Sequence, residues 1–538
     1  MTMVLSFTRW LVPLMGLVLV GCRPDFKVSK NATVTGQQTG ASPSPSVVPS
    51  PSASPSATPS PSPSPSPSPS PSPSTSISPS PSPSASASAV ACTLKSAGGA
   101  CDLILGSGSG SIWEDGTSKS AGYYDNKMVC IRAGSYTSGI GFNKVKAAAG
   151  QPATLINCGG QVKVSSTTNV PFRIDGSRYL RLTGTGDPAY EYGIYVGQAG
   201  SGSSHLDLSA GTSDVEIDHV EVTGSGPNPN NGYAGIAFRS YPTCSNYQRG
   251  SFTILNVKIH DNFVHDVNGE GFYIGQSHHG LVSGRGYNPG FKNYDCNGDS
   301  VMDTLIEADV DGCWVEKNRL ERLGRDAIQV AGAITGCLIA DNVIKEWATL
   351  NAWGHTGGIM VNPGTKATVL RNWLENTNPY GAGLTHQGLG DSLYANNVVI
   401  GAANGIQFLR NTDVNLSMVT GPTEFYNNTL VGSVNESIYL FCNNTVTSGV
   451  VIANNLSAGY ASDRGANGNN FSCYAPTSNI FLPTLAGAFF ADAANGNFQI
   501  LPSSPAQNTG TAFPTKLTDD FLKNLRSTTT PDVGAFEL

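Results

Sequence analysis

From Val301 to Asn455 apolar residues recur in short alternating bursts, each closed by a polar turn. One phrase returns throughout: an apolar residue, two spacers, then Asn. The copies are Val315-Glu-Lys-Asn318, Ile339-Ala-Asp-Asn342, Val369-Leu-Arg-Asn372, Tyr394-Ala-Asn-Asn397, Phe425-Tyr-Asn-Asn428 and Ile452-Ala-Asn-Asn455, with an earlier one at Ile259-His-Asp-Asn262. From Asn318 onward the Asn residues fall 24, 30, 25, 31 and 27 apart. A second phrase lies between them: Gly235-Ile-Ala-Phe, Gly271-Phe-Tyr-Ile, Ala327-Ile-Gln-Val, Gly358-Ile-Met-Val, Gly405-Ile-Gln-Phe and Ser437-Ile-Tyr-Leu. Two interleaved repeats at one spacing describe a solenoid, and each phrase is one strand of a turn.

Alternation over three to five residues, with Ile, Val, Phe and Tyr enriched, reads as strand. The repeat is too short, and too rich in Gly and Asn, for paired helices. The fold class is therefore all-β, a parallel β-helix, each coil stacked about 4.8 Å above the last. Ile328 and Val330 are expected to stack on Ile359 and Val361. An amide both donates and accepts, so Asn at one place in every coil predicts a ladder inside a turn. That assigns the Asn repeat to structure rather than to catalysis.

Composition changes the picture before Cys92. Arg9 and the short apolar run Trp10 to Val20 read as an export signal, too short to span a bilayer as a helix. Leu19-Val20-Gly21-Cys22 resembles the lipobox of bacterial lipoproteins. The resemblance implies cleavage before Cys22, lipidation of its thiol, and a membrane contact through that lipid. Arg23 follows the Cys where inner-membrane lipoproteins usually carry Asp, so the expected location is the outer membrane, with the domain surface-exposed or periplasmic. An ordinary signal peptide with a coincidental Cys is the alternative. From Ser42 to Ser88 the chain is almost entirely Pro, Ser, Ala and Thr. Such a stretch buries no core, and as polyproline II it reaches ~140 Å. The expected organisation is a signal over 1–21, a lipid-anchored linker over 22–91, the β-helix over 92–480 and a closing segment over 481–538.

Val129-Cys-Ile-Arg-Ala-Gly-Ser-Tyr136 and Pro152-Ala-Thr-Leu-Ile-Asn157 resemble the entry segment of right-handed parallel β-helix proteins of the pectin-lyase-like kind, which implies a right-handed parallel β-helix. Phe498-Gln-Ile-Leu-Pro-Ser-Ser-Pro-Ala506 and Pro531-Asp-Val-Gly-Ala-Phe-Glu537 resemble the closing segment of exported bacterial β-helix proteins, which implies a C-terminal cap. A covered end blocks edge-to-edge association, and a monomer is expected. The resemblance spans Ala91 to Leu538. It speaks for fold and weakly for activity, because one fold hosts many functions. Polygalacturonases of this fold carry Asn-Thr-Asp, Asp-Asp and Gly-His-Gly on successive coils; here Asn411-Thr-Asp413 stands without the other two.

Of 538 residues 13% are charged, the net charge is −7 and no basic tract occurs, which argues against a nucleic-acid partner. Ten cysteines follow Cys22 in an exported chain, so disulfides are expected. Cys313 and Cys337 hold one place in successive coils. Cys244 and Cys296 lie in two loops leaving one corner. Cys92–Cys101, Cys130–Cys158 and Cys442–Cys473 are the remaining local pairings.

Chemistry is expected where the repeat is interrupted. Aligning the Gly-Ile strands puts Glu270 and Asp326 at one place in neighbouring coils, a paired-carboxylate candidate within the glycosidase range of about 5–9.5 Å. Structural turn-capping is the alternative for both. The long loop after Gln276 contains His278, His279, Arg285 and Lys292, and then Asp295-Cys-Asn-Gly-Asp299. Asp295, Asn297, Asp299 and Asp303 match the start of a calcium loop, but Ile306 stands where a calcium loop needs Glu, so a plain turn beside a disulfide competes. Trp347, Trp353, His355, Tyr380 and His386 form a candidate sugar-stacking wall, or else pack an insertion onto the barrel. Two function classes follow. One is a surface enzyme on polysaccharide: a hydrolase using Glu270 and Asp326, or a lyase with Lys292 or His279 as base and calcium or Arg285 neutralising a uronate. The other is a non-catalytic adhesin or structural lipoprotein that binds a cell-surface glycan.

Overall fold

The computed structural model describes residues 88–224, 232–277, 292–300, 303–410, 421–442, 449–466, 474–513 and 515–538. The signal, Cys22 and the Pro/Ser stretch lie outside the described residues.

Strands stack in parallel on three faces, as the repeat predicts. One face runs from Leu103–Leu105 through Thr253–His260 and Cys337–Ala340 to Tyr474–Thr477; a second runs from Ile194–Val196 through Phe263–His265 to Ile480–Leu482. The third is a sheet of 12 strands from Ile112–Asp115 to Ser462–Ala466, including Glu270–Ile274, Ile328–Val330 and Gly357–Val361. The register agrees with the sequence alignment: Phe272 pairs with Ile328, and Ile328 and Val330 pair with Ile359 and Val361. Inward positions on the third face carry Leu206, Ile236, Phe272, Ile328, Ile359 and Leu384 in one column, all fully buried.

The corner between the first and second faces is held by the Asn ladder. Asn318 donates through its backbone N–H and through Nδ2 to Oδ1 of Asn342, both at 3.0 Å. The same pattern continues Asn342 to Asn372, Asn397, Asn428, Asn455 and Asn479, and begins at Asn262. Nδ2 of Asn318 also donates to the Ile259 carbonyl in the neighbouring coil and to its own Glu316 carbonyl. Every ladder Asn follows a non-glycine residue in the left-handed region: Asp261, Lys317, Asp341, Arg371, Asn396, Asn427, Asn454 and Ser478, with φ between 51° and 56°. An L-residue there costs roughly 1–2 kcal/mol. The buried amide bonds offset that cost and fix the bend.

The closing segment lies in a different place from an end cap. Phe490, Phe498, Val533 and Phe536 pack on Val398, Val431 and Leu456, so the segment runs back along the flank over three coils. Its polar contacts are made by the first Asn of each doublet. Asn396 donates to Asp519 O and accepts from Arg526; Asn427 donates to Asp532 O; Asn454 exchanges both amide groups with Thr511. The doublets therefore do two jobs, one Asn turning the coil and the other holding the flank.

Cys244–Cys296 and Cys313–Cys337 are bonded. The N-terminal pairs differ from those expected: Cys92 bonds Cys158 and Cys101 bonds Cys130. Proximity in this fold runs between coils. Ile104 pairs with Cys130 across one coil step, and the Val90 carbonyl accepts from Gly159 beside Cys158. Cys473 lies outside the described residues.

Two stability outcomes follow. Asn342→Ala removes the acceptor of the buried Asn318 backbone N–H, one of the bonds of Asn318 Nδ2 and the Nδ2 donor to the Val315 carbonyl, and is expected to cost about 2–4 kcal/mol in urea unfolding. A loss below about 0.5 kcal/mol would contradict the ladder's role. Lys317→Gly relieves an exposed left-handed residue and is expected to stabilise by about 0.5–1 kcal/mol in the same measurement.

Candidate active site

The register that stacks the core also stacks the row just before each third-face strand. Ala234 pairs with Glu270, and Gly357 with Ala382. Asp326 occupies this row between Glu270 and Gly357, because Phe272 pairs with Ile328 and Gly271 N–H donates to the Asp326 carbonyl. Both side chains are fully buried. Gly357 matters here: its N–H donates to Asp326 Oδ1 at 2.6 Å, and a Cβ at that position would stand 3.4 Å from the same oxygen.

His355 sits in a turn of the insertion before Gly357 and closes over the pair. Its Nδ1 is 3.1 Å from Glu270 Oε1 and 3.4 Å from Asp326 Oδ2. These are ion-pair contacts without hydrogen-bond alignment, and Glu270 Oε2 and Asp326 Oδ2 have no hydrogen bond. Among the described residues Nε2 of His355 has no protein partner, and the side chain keeps 30% exposure. Arg325 flanks the pair, its guanidinium 3.4 Å from Glu270 Oε1 and 5.8 Å from the centroid of the Tyr233 ring. Burial pushes the Asp326 carboxyl up to about 6. The Asp326 and Glu270 carboxylates raise His355 to about 9. Opposite charge within a few Å favours the charged form, and desolvation disfavours it. The cluster thus sets two buried carboxyl groups beside two partly exposed basic side chains.

This geometry alters the role expected for Glu270 and Asp326. Neither carboxyl reaches solvent, so neither can touch a glycosidic oxygen or a sugar carbon. The group that can touch a ligand is His355. A carboxylate beside one imidazole nitrogen, with the other nitrogen open, resembles the way a catalytic histidine is oriented, though here Nδ1 stands at ion-pair distance rather than in an aligned hydrogen bond.

The aromatic wall divides. Trp353 is 88% exposed and Tyr380 is 55% exposed. Trp347 and His386 are buried and line no surface: Trp347 Nε1 donates to the Thr356 and Ala382 carbonyls, and His386 stacks on Phe408 with Nδ1 on Tyr394. Both fill the barrel, where His386 continues the column of Val330 and Val361. His279 and Arg285 lie outside the described residues, and Lys292 begins a short hairpin strand paired with Asp303–Leu305.

Asp295 closes its own turn. Its Oδ1 accepts from Gly298 and Asp299 N–H, and its Oδ2 from Ser300 N–H. Asn297 Oδ1 accepts from Asp299 N–H, and Asp303 Oδ2 from Cys296 N–H. Asp299 Oδ2 accepts from Asn297 Nδ2, so the segment closes as a turn through its own hydrogen bonds. Among the described residues, Glu270, Asp326 and His355 come together with metal-like spacing, their ligand atoms within 4.8 Å of one another, as do Glu216, Asp218 and His260 on the first face. Two carboxylates and an imidazole suit a transition metal better than calcium, which takes six to eight oxygens. In this cluster Arg325 and His355 already supply positive charge beside both carboxylates.

Arg325 was not singled out by the sequence, although its place beside Asp326 is a usable signal. His355 was grouped with the aromatic wall; its place two residues before Gly357, in the row above Asp326, ties it to the carboxylates.

No protein-family model matches this chain, and no curated protein is significantly similar. Among solved structures, pectate lyase Pel9A is similar at 15% identity and TM-score 0.38, over 78% of this chain and 90% of that one. The lacto-N-biosidase of family GH136 from Eubacterium ramulus is similar at 12% and 0.36, over 67% of this chain and 62% of that one. A family PL6 polysaccharide lyase, Pedsa3628 from Pseudopedobacter saltans, is similar at 11% and 0.34, over 74% and 98%. At these values the likeness assigns no activity, and the architecture stands on the strand pairings themselves. By those pairings the chain is a parallel β-helix protein, with a buried carboxylate pair and a partly exposed histidine on its third face.

Proposed function

We propose that this protein degrades an acidic extracellular polysaccharide by β-elimination, with His355 as the base. The observation that carries the reading is the His355 ring, held by Nδ1 against two buried carboxylates while Nε2 stays open. Arg325 would pair with the uronate carboxylate and stabilise the charge that develops when the neighbouring C5 proton leaves. His355 Nε2 takes that proton. The C5 electron pair forms the C4–C5 double bond, the bond from C4 to the glycosidic oxygen breaks, and the departing oxygen receives a proton back from His355. Glu270 and Asp326 act as positioning residues that orient the ring and raise its basicity. Trp353 and Tyr380 offer exposed faces on which sugar rings could stack. The lipobox-like segment at Cys22 and the Pro/Ser stretch fit a domain held at the cell envelope.

The test is incubation with a panel of uronate and neutral polysaccharides, read by the ultraviolet absorbance of unsaturated ends and by new reducing ends. Unsaturated products are expected. Because the base must be unprotonated, kcat/KM should rise with pH, reach half its plateau near 9 and level off above that. His355→Gln should lower kcat/KM by at least about 100-fold, the usual scale of a lost general base. Reducing ends without unsaturation would mean hydrolysis. Binding without any product would favour an adhesin. Full activity in His355→Gln would overturn the assignment.

A further inference from the structure

A cavity of about 520 Å³ opens beside this site, toward the N-terminal coils of the third face. That volume is within the range of sites for small organic ligands. Arg173, Ser203, Asp207, Tyr233, Arg239 and Tyr241 are among its lining residues. Tyr233 is the shared wall. Its ring is 5.4 Å from that of Tyr273 and lies under the Arg325 guanidinium. Asp207 pairs in register with Ala237, and Ala237 with Tyr273, so the cavity floor lies two coil steps, roughly 10 Å, from the coil of Glu270.

Asp207 is the unusual group. It is more than nine-tenths buried, yet Oδ1 has no hydrogen-bond partner and Oδ2 has one long contact, 3.5 Å from the Tyr241 hydroxyl. Its neighbours Arg173, Arg239 and Ser209 all favour the carboxylate, but each arginine also has another acidic partner. Arg239 pairs with Glu307 at 2.9 Å, and Arg173 pairs with Asp175 at 2.7 Å. A buried carboxylate without its hydrogen bonds is unfavourable unless something supplies donors. The strands at this level gain nothing from it, since inward Leu206 and Leu208 already pack the core.

The geometry points to a saccharide subsite in which Asp207 accepts hydroxyl groups of an uncharged sugar residue, packed between the Tyr233 and Tyr241 rings. Arg173 and Arg239 line the cavity too, but their charges are already shared among Asp175, Glu307 and Asp207, so a uronate would add a further carboxylate to a site whose cations are matched, and like charges in a buried site repel. This inference rests on the uronate reading of the His355 site for one consequence. The substrate would be a heteropolysaccharide carrying both uronate and neutral sugars, not a polyuronate.

Calorimetry on the whole protein tests the subsite without any need for turnover. The probes are hexasaccharides of xylose, glucose, mannose and galactose, with hexagalacturonate and hexaguluronate beside them. At least one neutral hexasaccharide is expected to bind wild type, and Asp207→Ala should weaken it at least tenfold. His355→Gln should change it less than threefold. The melting temperature of Asp207→Ala should stay level or rise, since a structural aspartate would lower it. Preference for the hexauronates, binding indifferent to Asp207→Ala, or no binding of any neutral probe would overturn the subsite. If the subsite holds and no glycan is cleaved, elimination at His355 is the part that fails.

Discussion

The amide ladder is the constraint on which the rest of the molecule depends. Each ladder Asn follows a residue in the left-handed region, and that backbone turn is costly for any residue with a Cβ. The coil accepts the cost because the Asn Oδ1 accepts from the preceding coil while Nδ2 donates to both neighbouring coils and to the turn itself. A slip of one residue would break the ladder and rotate every inward side chain outward. The register is therefore tightly specified along the whole stack. With coils of unequal length, only a fixed corner keeps distant residues aligned. Glu270 and Asp326 lie 56 positions apart and meet because the strands between them are pinned.

That same rigidity supports a strained polar cluster. Two buried carboxylates repel each other and lose hydration, so their proximity persists only when the scaffold holds it and cations offset it. Here the third-face strands hold Glu270 and Asp326, the Gly357 N–H holds one Asp326 oxygen, and His355 and Arg325 provide the opposite charge. His355 arrives from an insertion, the part of the coil free to vary in length. Repeat and insertion thus contribute different things: fixed acid groups from the stack, and an accessible ring from the loop.

The sequence made the fold legible because its period is written in residue types with one physical use. Asn at the turn and Ile or Val at inward positions both repeat, and together they specify the register of Ile328 on Ile359 and of Phe272 on Ile328. The carboxylate pair was legible through that register. Its burial was not, since nothing along the chain says that a loop folds back over Asp326. Trp347 and His386 show the converse. Their types suggest a sugar surface, but His386 falls on an inward position of the strand Ala382–His386, and the alternation, read strictly, places it inside. The disulfides follow the same rule: Cys313–Cys337, at one place in successive coils, forms as expected, whereas Cys92 and Cys101 bond across coils to Cys158 and Cys130 rather than to the cysteines nearest in sequence. The closing segment was legible as a unit but not in its docking, although the Asn-Asn doublets mark its track.

The central claim is that a histidine on the third face is held by two buried carboxylates and presents its other nitrogen to a ligand. Nuclear magnetic resonance of the His355 ring, assigned by comparison with His355→Gln, tests it most directly. The account predicts a titration near pH 9 and, above it, the tautomer with the proton on Nδ1 toward the carboxylates. A titration at the ordinary histidine value near 6.5, unchanged when Glu270 and Asp326 are made Gln and Asn, would contradict it.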